Sequence, residues 1–153
     1  MKIVVDSNIV FSAILNTRSR IGQLLIGGSK YFDFYSVGLL KEEIQNHKLK
    51  ILRATDYNEN QYNIAYQIIT NQISFLDDIF IRDSSVDKAY ELVKDIDIND
   101  WPFVALNIEL HSLLWSGDKK LTKGLQNLNY KRVITTEDLY MKYLEKEYKN
   151  RKE

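Results

Sequence analysis

Short apolar runs alternate with stretches of helical period along this chain. Continuous or nearly continuous runs predict strands over Lys2–Val5, Tyr31–Ser36, Ile79–Arg82, Leu113–Ser116 and Arg132–Ile134. Between them, apolar residues recur at three- and four-residue spacing, the mark of helices with one buried face. The predicted helices cover roughly Asn8–Gly27, Leu39–Arg53, Glu59–Asn71, Val86–Val93, Pro102–His111 and Lys119–Leu128, with a last one from Thr136. Strand and helix in alternation point to parallel strands joined by crossover helices, an α/β fold. Local punctuation agrees: Gly27-Gly28 can stop the first helix, and Asp83 or Ser84-Ser85 can start the fourth. Asp100 before Trp101-Pro102 reads as an N-cap with proline in the first turn.

Composition narrows the class. The 153 residues suit one domain, with 44% hydrophobic and 27% charged residues as in an ordinary globular protein. We expect a domain over 1–144 and a charged helix end or tail over 145–153. No cysteine is present, which excludes disulfides, zinc–thiolate sites and thiol nucleophiles. The chain enters its first strand directly, and no apolar run approaches the roughly 18–20 residues of a membrane span. A soluble, unexported, cytoplasmic protein with no membrane contact is expected. Formal net charge is zero, so no overall basic excess announces nucleic acid. Lysines nevertheless cluster at Lys119, Lys120 and Lys123, directly after an acidic residue.

Four acidic residues fall where strands give way to loops or helices: Asp6, Glu43, Asp100 and Asp118. Asp6 ends the first apolar strand, and in open α/β sheets ligands bind at the carboxyl ends of strands. It is equally an N-cap for the following helix. Asp118 follows the fourth strand within Gly117-Asp118, an ordinary turn dipeptide. Asp100 closes the acidic stretch from Asp95, where capping would account for it, and Asp97 reads as an exposed or outer carboxylate. Glu43 shares the helix face of Leu40, Ile44, His47 and Ile51, whereas Glu42 points away. A glutamate on an apolar stripe needs a metal ion, a lysine or an arginine to offset its burial. His47 reads as a partly buried stripe residue. Carboxylates gathered by one fold repel one another unless a hard cation lies among them, and magnesium or manganese favours such oxygen donors.

Taken in order, Val4-Val5-Asp6-Ser7-Asn8, Glu43-Ile44, Asp100-Trp101-Pro102-Phe103-Val104-Ala105-Leu106 and Leu114-Trp115-Ser116-Gly117-Asp118-Lys119-Lys120-Leu121 resemble the PIN domain family. That family includes the VapC-type toxins of toxin–antitoxin pairs. The resemblance implies a three-layer α/β/α fold with a parallel sheet of strand order 3-2-1-4-5. It also implies magnesium- or manganese-dependent endonucleolytic cleavage of single-stranded RNA at Asp6, Glu43, Asp100 and Asp118. Asp6, Asp100 and Asp118 would be metal ligands, Asn8, Ser116 and Asp97 auxiliary, and Lys119, Lys120 and Lys123 the RNA contacts. Products would carry 5′-phosphate and 3′-hydroxyl ends, and a small antitoxin and a homodimer are implied partners. The segment Phe103-Val104-Ala105-Leu106-Asn107 departs from the small-residue helix common in VapC toxins and is similar to a less characterised branch.

Two other classes compete. Phosphoryl-transfer domains also place an aspartate after the first strand, but the position two residues on is Asn8, and Asp77-Asp78 precedes the wrong kind of segment for a receiver. A catalytically vestigial RNA- or protein-binding module is the other alternative, and the intact carboxylates weigh against it.

Overall fold

A computed structural model describes residues 1–152. The strands are β1 (Lys2–Val5), β2 (Asp33–Val37), β3 (Ile73–Leu76), β4 (Leu113–Trp115) and β5 (Val133–Ile134). The helices are α1 (Ser7–Leu15), α2 (Arg20–Gly28), α3 (Leu39–Asn46), α4 (Lys48–Ala54), α5 (Glu59–Thr70), α6 (Asp83–Val93), α7 (Trp101–Glu109), α8 (Lys119–Asn127) and α9 (Thr136–Lys152). All strand pairs are parallel, in the order β3-β2-β1-β4-β5. Ile3, Val4 and Val5 of the central strand are fully buried, as a parallel sheet covered on both faces requires. On one face α7 packs against β1, β2 and β4 with α6 alongside it; on the other α1 packs with α2 and α5, and α2 with α9. This is the expected α/β/α sandwich.

Register decides what meets at the carboxyl edge. Val5 pairs with Trp115 across β1 and β4. The next residues along each strand, Asp6 and Ser116, are therefore neighbours at the point where the chain order reverses. Trp115 is fully buried, and its Nε1 donates to Thr136 Oγ1 at 2.9 Å, tying β4 to the start of α9.

Several expected boundaries are corrected. The third strand is Ile73–Leu76, not Ile79–Arg82. Asp77 Oδ1 accepts from Ile79 N at 3.1 Å and turns the chain into a 3-10 turn over Asp78–Phe80, leaving Ile79 79% exposed. The helix expected over Asn8–Gly27 is two. Ser19 Oγ accepts from Gly22 N at 3.1 Å to restart the second, and a Cβ on Gly22 would lie 2.3 Å from Thr17 O. The helix expected over Leu39–Arg53 also breaks, at His47, whose φ of −99° and ψ of 10° leave the helical region. His47 is exposed rather than part of a continuous stripe, and its ring meets Phe11 edge-on. The second strand starts at Asp33 rather than Tyr31, because the amides of Tyr31 and Phe32 turn back to Gly28 O. The charged residues from Glu145 continue α9 as far as Lys152, with Glu147 bonded to Lys30 at 3.0 Å; Glu153, the last residue of the expected tail, lies outside the described residues.

Candidate functional site

Asp6 leaves β1 as a continuation of its ladder, its N donating to Trp115 O at 3.0 Å. The side chain is 3% exposed. Its Oδ1 accepts from Ser7 N at 2.8 Å and its Oδ2 from Ser116 Oγ at 2.6 Å. Burial pushes its pKa up, the bonds from Ser116 and Ser7 pull it down, and the Asp118 carboxylate pushes it up again. Both readings of Asp6 thus have a structural counterpart: it stands at the start of α1 and also faces the carboxyl edge.

Ser116 joins two of the acidic residues. Its hydroxyl donates to Asp6 and accepts from Asp118 N at 3.1 Å. Asp118 Oδ1 in turn accepts from Lys120 N at 2.9 Å and Leu121 N at 3.2 Å, capping α8. Gly117, between them, lies against α1: a Cβ there would stand at an ordinary contact distance of 3.7 Å from Asn8 Nδ2. Asn8 Oδ1 is buried and has no hydrogen-bond partner.

Asp100 arrives from the other side. Asp97 Oδ1 accepts from Asn99 N at 3.0 Å and starts a 3-10 turn that delivers Asp100 to the first turn of α7. Asp100 occupies the cap position, yet its side chain makes no capping bond. Its Oδ2 is buried without a partner. Burial, then the carboxylates of Asp6, Asp97 and Asp118, raise its pKa to about 7, with Lys120 acting in the opposite direction. Capping does not account for this residue. A half-buried carboxyl with an orphaned oxygen, facing three other carboxylates, is instead short of a positive charge.

The expected residues therefore divide. Asp6, Asp100 and Asp118 form one electrostatic group, with Asp97 and Lys120 coupled to Asp100 and Ser116 bonded inside it. Glu43 lies half-buried on α3 beside the buried Leu40 and Ile44; its side chain makes no hydrogen bond or ion pair among the described residues. Glu43 is not among the groups that shift Asp6 or Asp100. Lys119 and Lys123 are exposed on α8. Among the described residues no three acidic or imidazole groups converge closely enough to enclose an ion as they stand. The donor set nonetheless fits a hard cation: only oxygens are offered, and those of Asp100 and Asn8 are buried with no other partner.

A parallel α/β/α sheet with coupled carboxylates at its switch point defines a class of domain with an acidic crevice. The family model for the PIN domain matches residues 4–141, and the chain belongs to that family. PIN domains are generally nucleases that use divalent metal ions. A chain of the VapBC2 complex from Rickettsia felis, solved bound to a DNA fragment from their promoter, shares the fold. Its TM-score is 0.62 at 15% identity, covering 88% of this chain and 98% of that one. No curated protein matches the chain in sequence.

Proposed function

We propose that the protein is a magnesium- or manganese-dependent endoribonuclease that hydrolyses single-stranded RNA in the cytoplasm, as the toxin of a type II toxin–antitoxin pair. One observation carries this reading: the buried, unpartnered Oδ2 of Asp100, in a carboxyl raised to about pH 7 by burial and by its acidic neighbours. A bound cation removes that penalty.

Asp6, Asp100 and Asp118 would hold the ion, with the Asn8 amide oxygen beside them. The ion supplies a lowered pKa for a bound water and neutralises charge gathering on the phosphate oxygens. Ser116 ties the Asp6 carboxylate to the backbone of Asp118 and so holds the two residues in one arrangement. Lys120, close enough to influence Asp100, sets a positive charge beside the phosphate, and Lys119 and Lys123 extend it along the strand. Glu43 would orient the attacking water or complete the ligand set, and Asp97 would orient Asp100. Attack by water rather than by the ribose hydroxyl leaves 5′-phosphate and 3′-hydroxyl ends. The nuclease unit would comprise residues 1–144, and 145–153 would be its charged helix end.

The fold shared with a chain of a VapBC complex supports a small antitoxin partner, and homodimerisation is part of the same reading. RNA cleavage in EDTA, magnesium or manganese tests the proposal against an Asp6→Asn, Asp100→Asn double variant. Metal-dependent cleavage by the natural protein alone supports it. Equal cleavage by the variant places the activity elsewhere, and no cleavage with any metal favours a vestigial binding module.

A further inference from the structure

At the carboxyl ends of β2 and β3 lies a cavity of about 480 Å³. That volume falls within the roughly 300–1,000 Å³ of small-molecule sites. Leu39, Phe75, Trp101 and Pro102 supply apolar walls, and Glu42, Asp77 and Asp78 supply carboxylates. Trp101 follows Asp100 directly, so the two sites share an edge. Tyr90 stacks on the Trp101 indole, with ring centroids 5.2 Å apart and planes inclined by 18°. One face of the indole is thereby fixed, while the same side chain still lines the cavity. Leu39, one of the lining residues, is 55% exposed, so the apolar wall is reachable from outside.

The polar groups here have one character. Glu42 makes no hydrogen bond or ion pair among the described residues, and an ionised carboxylate only accepts. A phosphate is repelled from such a place, but a neutral aromatic ring with N–H donors is not. Guanine presents two adjacent donors, N1–H and N2–H, that match the two oxygens of one carboxylate. Adenine and cytosine present a single amino donor beside a ring acceptor, and uracil flanks its one donor with two carbonyls.

We propose that this cavity is a nucleobase subsite selecting guanine in the strand held at Asp6, Asp100 and Asp118, with Trp101 as stacking wall and Glu42 as acceptor. The inference rests on the nuclease reading for its substrate class. Lys120 and the crevice hold the phosphate, and the neighbouring base turns away from the lysines into the cavity.

Nucleoside binding tests it in EDTA, with no cleavage required. Trp115 is fully buried, so Trp101 is the responsive fluorophore, and a Trp101→Phe variant identifies its signal. Guanosine should quench Trp101 and bind about five- to hundredfold tighter than adenosine, cytidine or uridine, the range of one bidentate base contact. Glu42→Gln should abolish that preference while leaving adenosine quenching and melting temperature unchanged. Equal quenching by all four nucleosides, or none by any, overturns the proposal. Quenching by an arginine-rich hexapeptide but not guanosine, lost in Glu42→Gln, assigns the cavity to a basic protein segment and also overturns it. An RNA-cleaving protein without guanosine preference defeats the subsite alone. Guanosine preference in a protein that cleaves no RNA supports the subsite and defeats the nuclease reading alone.

Discussion

Asp100 is the residue on which stability and function pull apart. Its folded pKa of about 7 lies above the ordinary aspartate value of 3.8, so the folded chain holds this proton more tightly than the unfolded one. The stabilisation linked to it is complete below the unfolded value, declines as pH rises, and is lost once pH passes the folded value. In EDTA, Asp100→Asn should therefore melt higher than the natural protein at about pH 8, with the gap shrinking towards about pH 5. Melting curves across pH check this, and a gap independent of pH would show that Asp100 is not the titrating group. Ser116 has the reverse character, because both its hydrogen bonds are internal to the crevice. Ser116→Ala strands Asp6 Oδ2 and Asp118 N, and we expect a loss of about 1–3 kcal/mol in urea unfolding. A loss near zero would mean water replaces the hydroxyl freely.

At the scale of elements, the boundaries that place the crevice were readable from sequence, and those that depend on helix breaks were not. The strand β1 was legible because a buried parallel strand is a short continuous apolar run, and the ends of β1 and β4 fixed where Asp6 and Asp118 fall. The third strand was missed because Ile79-Phe80-Ile81 is as apolar as Ile73–Leu76. Only the Asp77 turn, seen in three dimensions, decides between them. Asp100 looked like an ordinary cap in sequence, since nothing local reveals that its oxygen lacks a partner. The joint between α1 and α2 depends on Gly22, whose neighbour in space is the Thr17 backbone and so cannot yield as a flexible side chain would. Gly22→Ala should destabilise by about 1–3 kcal/mol, the usual scale of overpacking. Gly38→Ala meets Leu76 O at an ordinary 3.6 Å and should change stability by less than about 0.5 kcal/mol. Chemical unfolding of the pair separates the two cases, and equal losses would contradict the account of the joint.

For the molecule as a whole, zero net charge hides a polar arrangement of charge. Carboxylates gather at the switch point, and Lys119, Lys120 and Lys123 begin the next helix. Two-sided placement of this kind predicts RNA binding through few phosphates, with modest salt dependence. Three contacts to a single strand give a log–log slope of about −2, at roughly −0.7 per phosphate. Replacing the three lysines with alanine should flatten that slope, and an unchanged slope would move the RNA path elsewhere.

The central claim is that the Asp6, Asp100 and Asp118 carboxylates together hold a divalent cation. A manganese titration followed by melting temperature addresses it without needing the right RNA. A ligand that binds only the folded state stabilises it by about 2.7 kcal/mol at a hundred times its dissociation constant. At this chain length that amounts to about 2–4 °C per kcal/mol. The natural protein should rise by several degrees, and Asp100→Asn, although more stable without metal, should not respond. An equal rise in both proteins, or none in either, would contradict the assignment of the crevice as a metal centre.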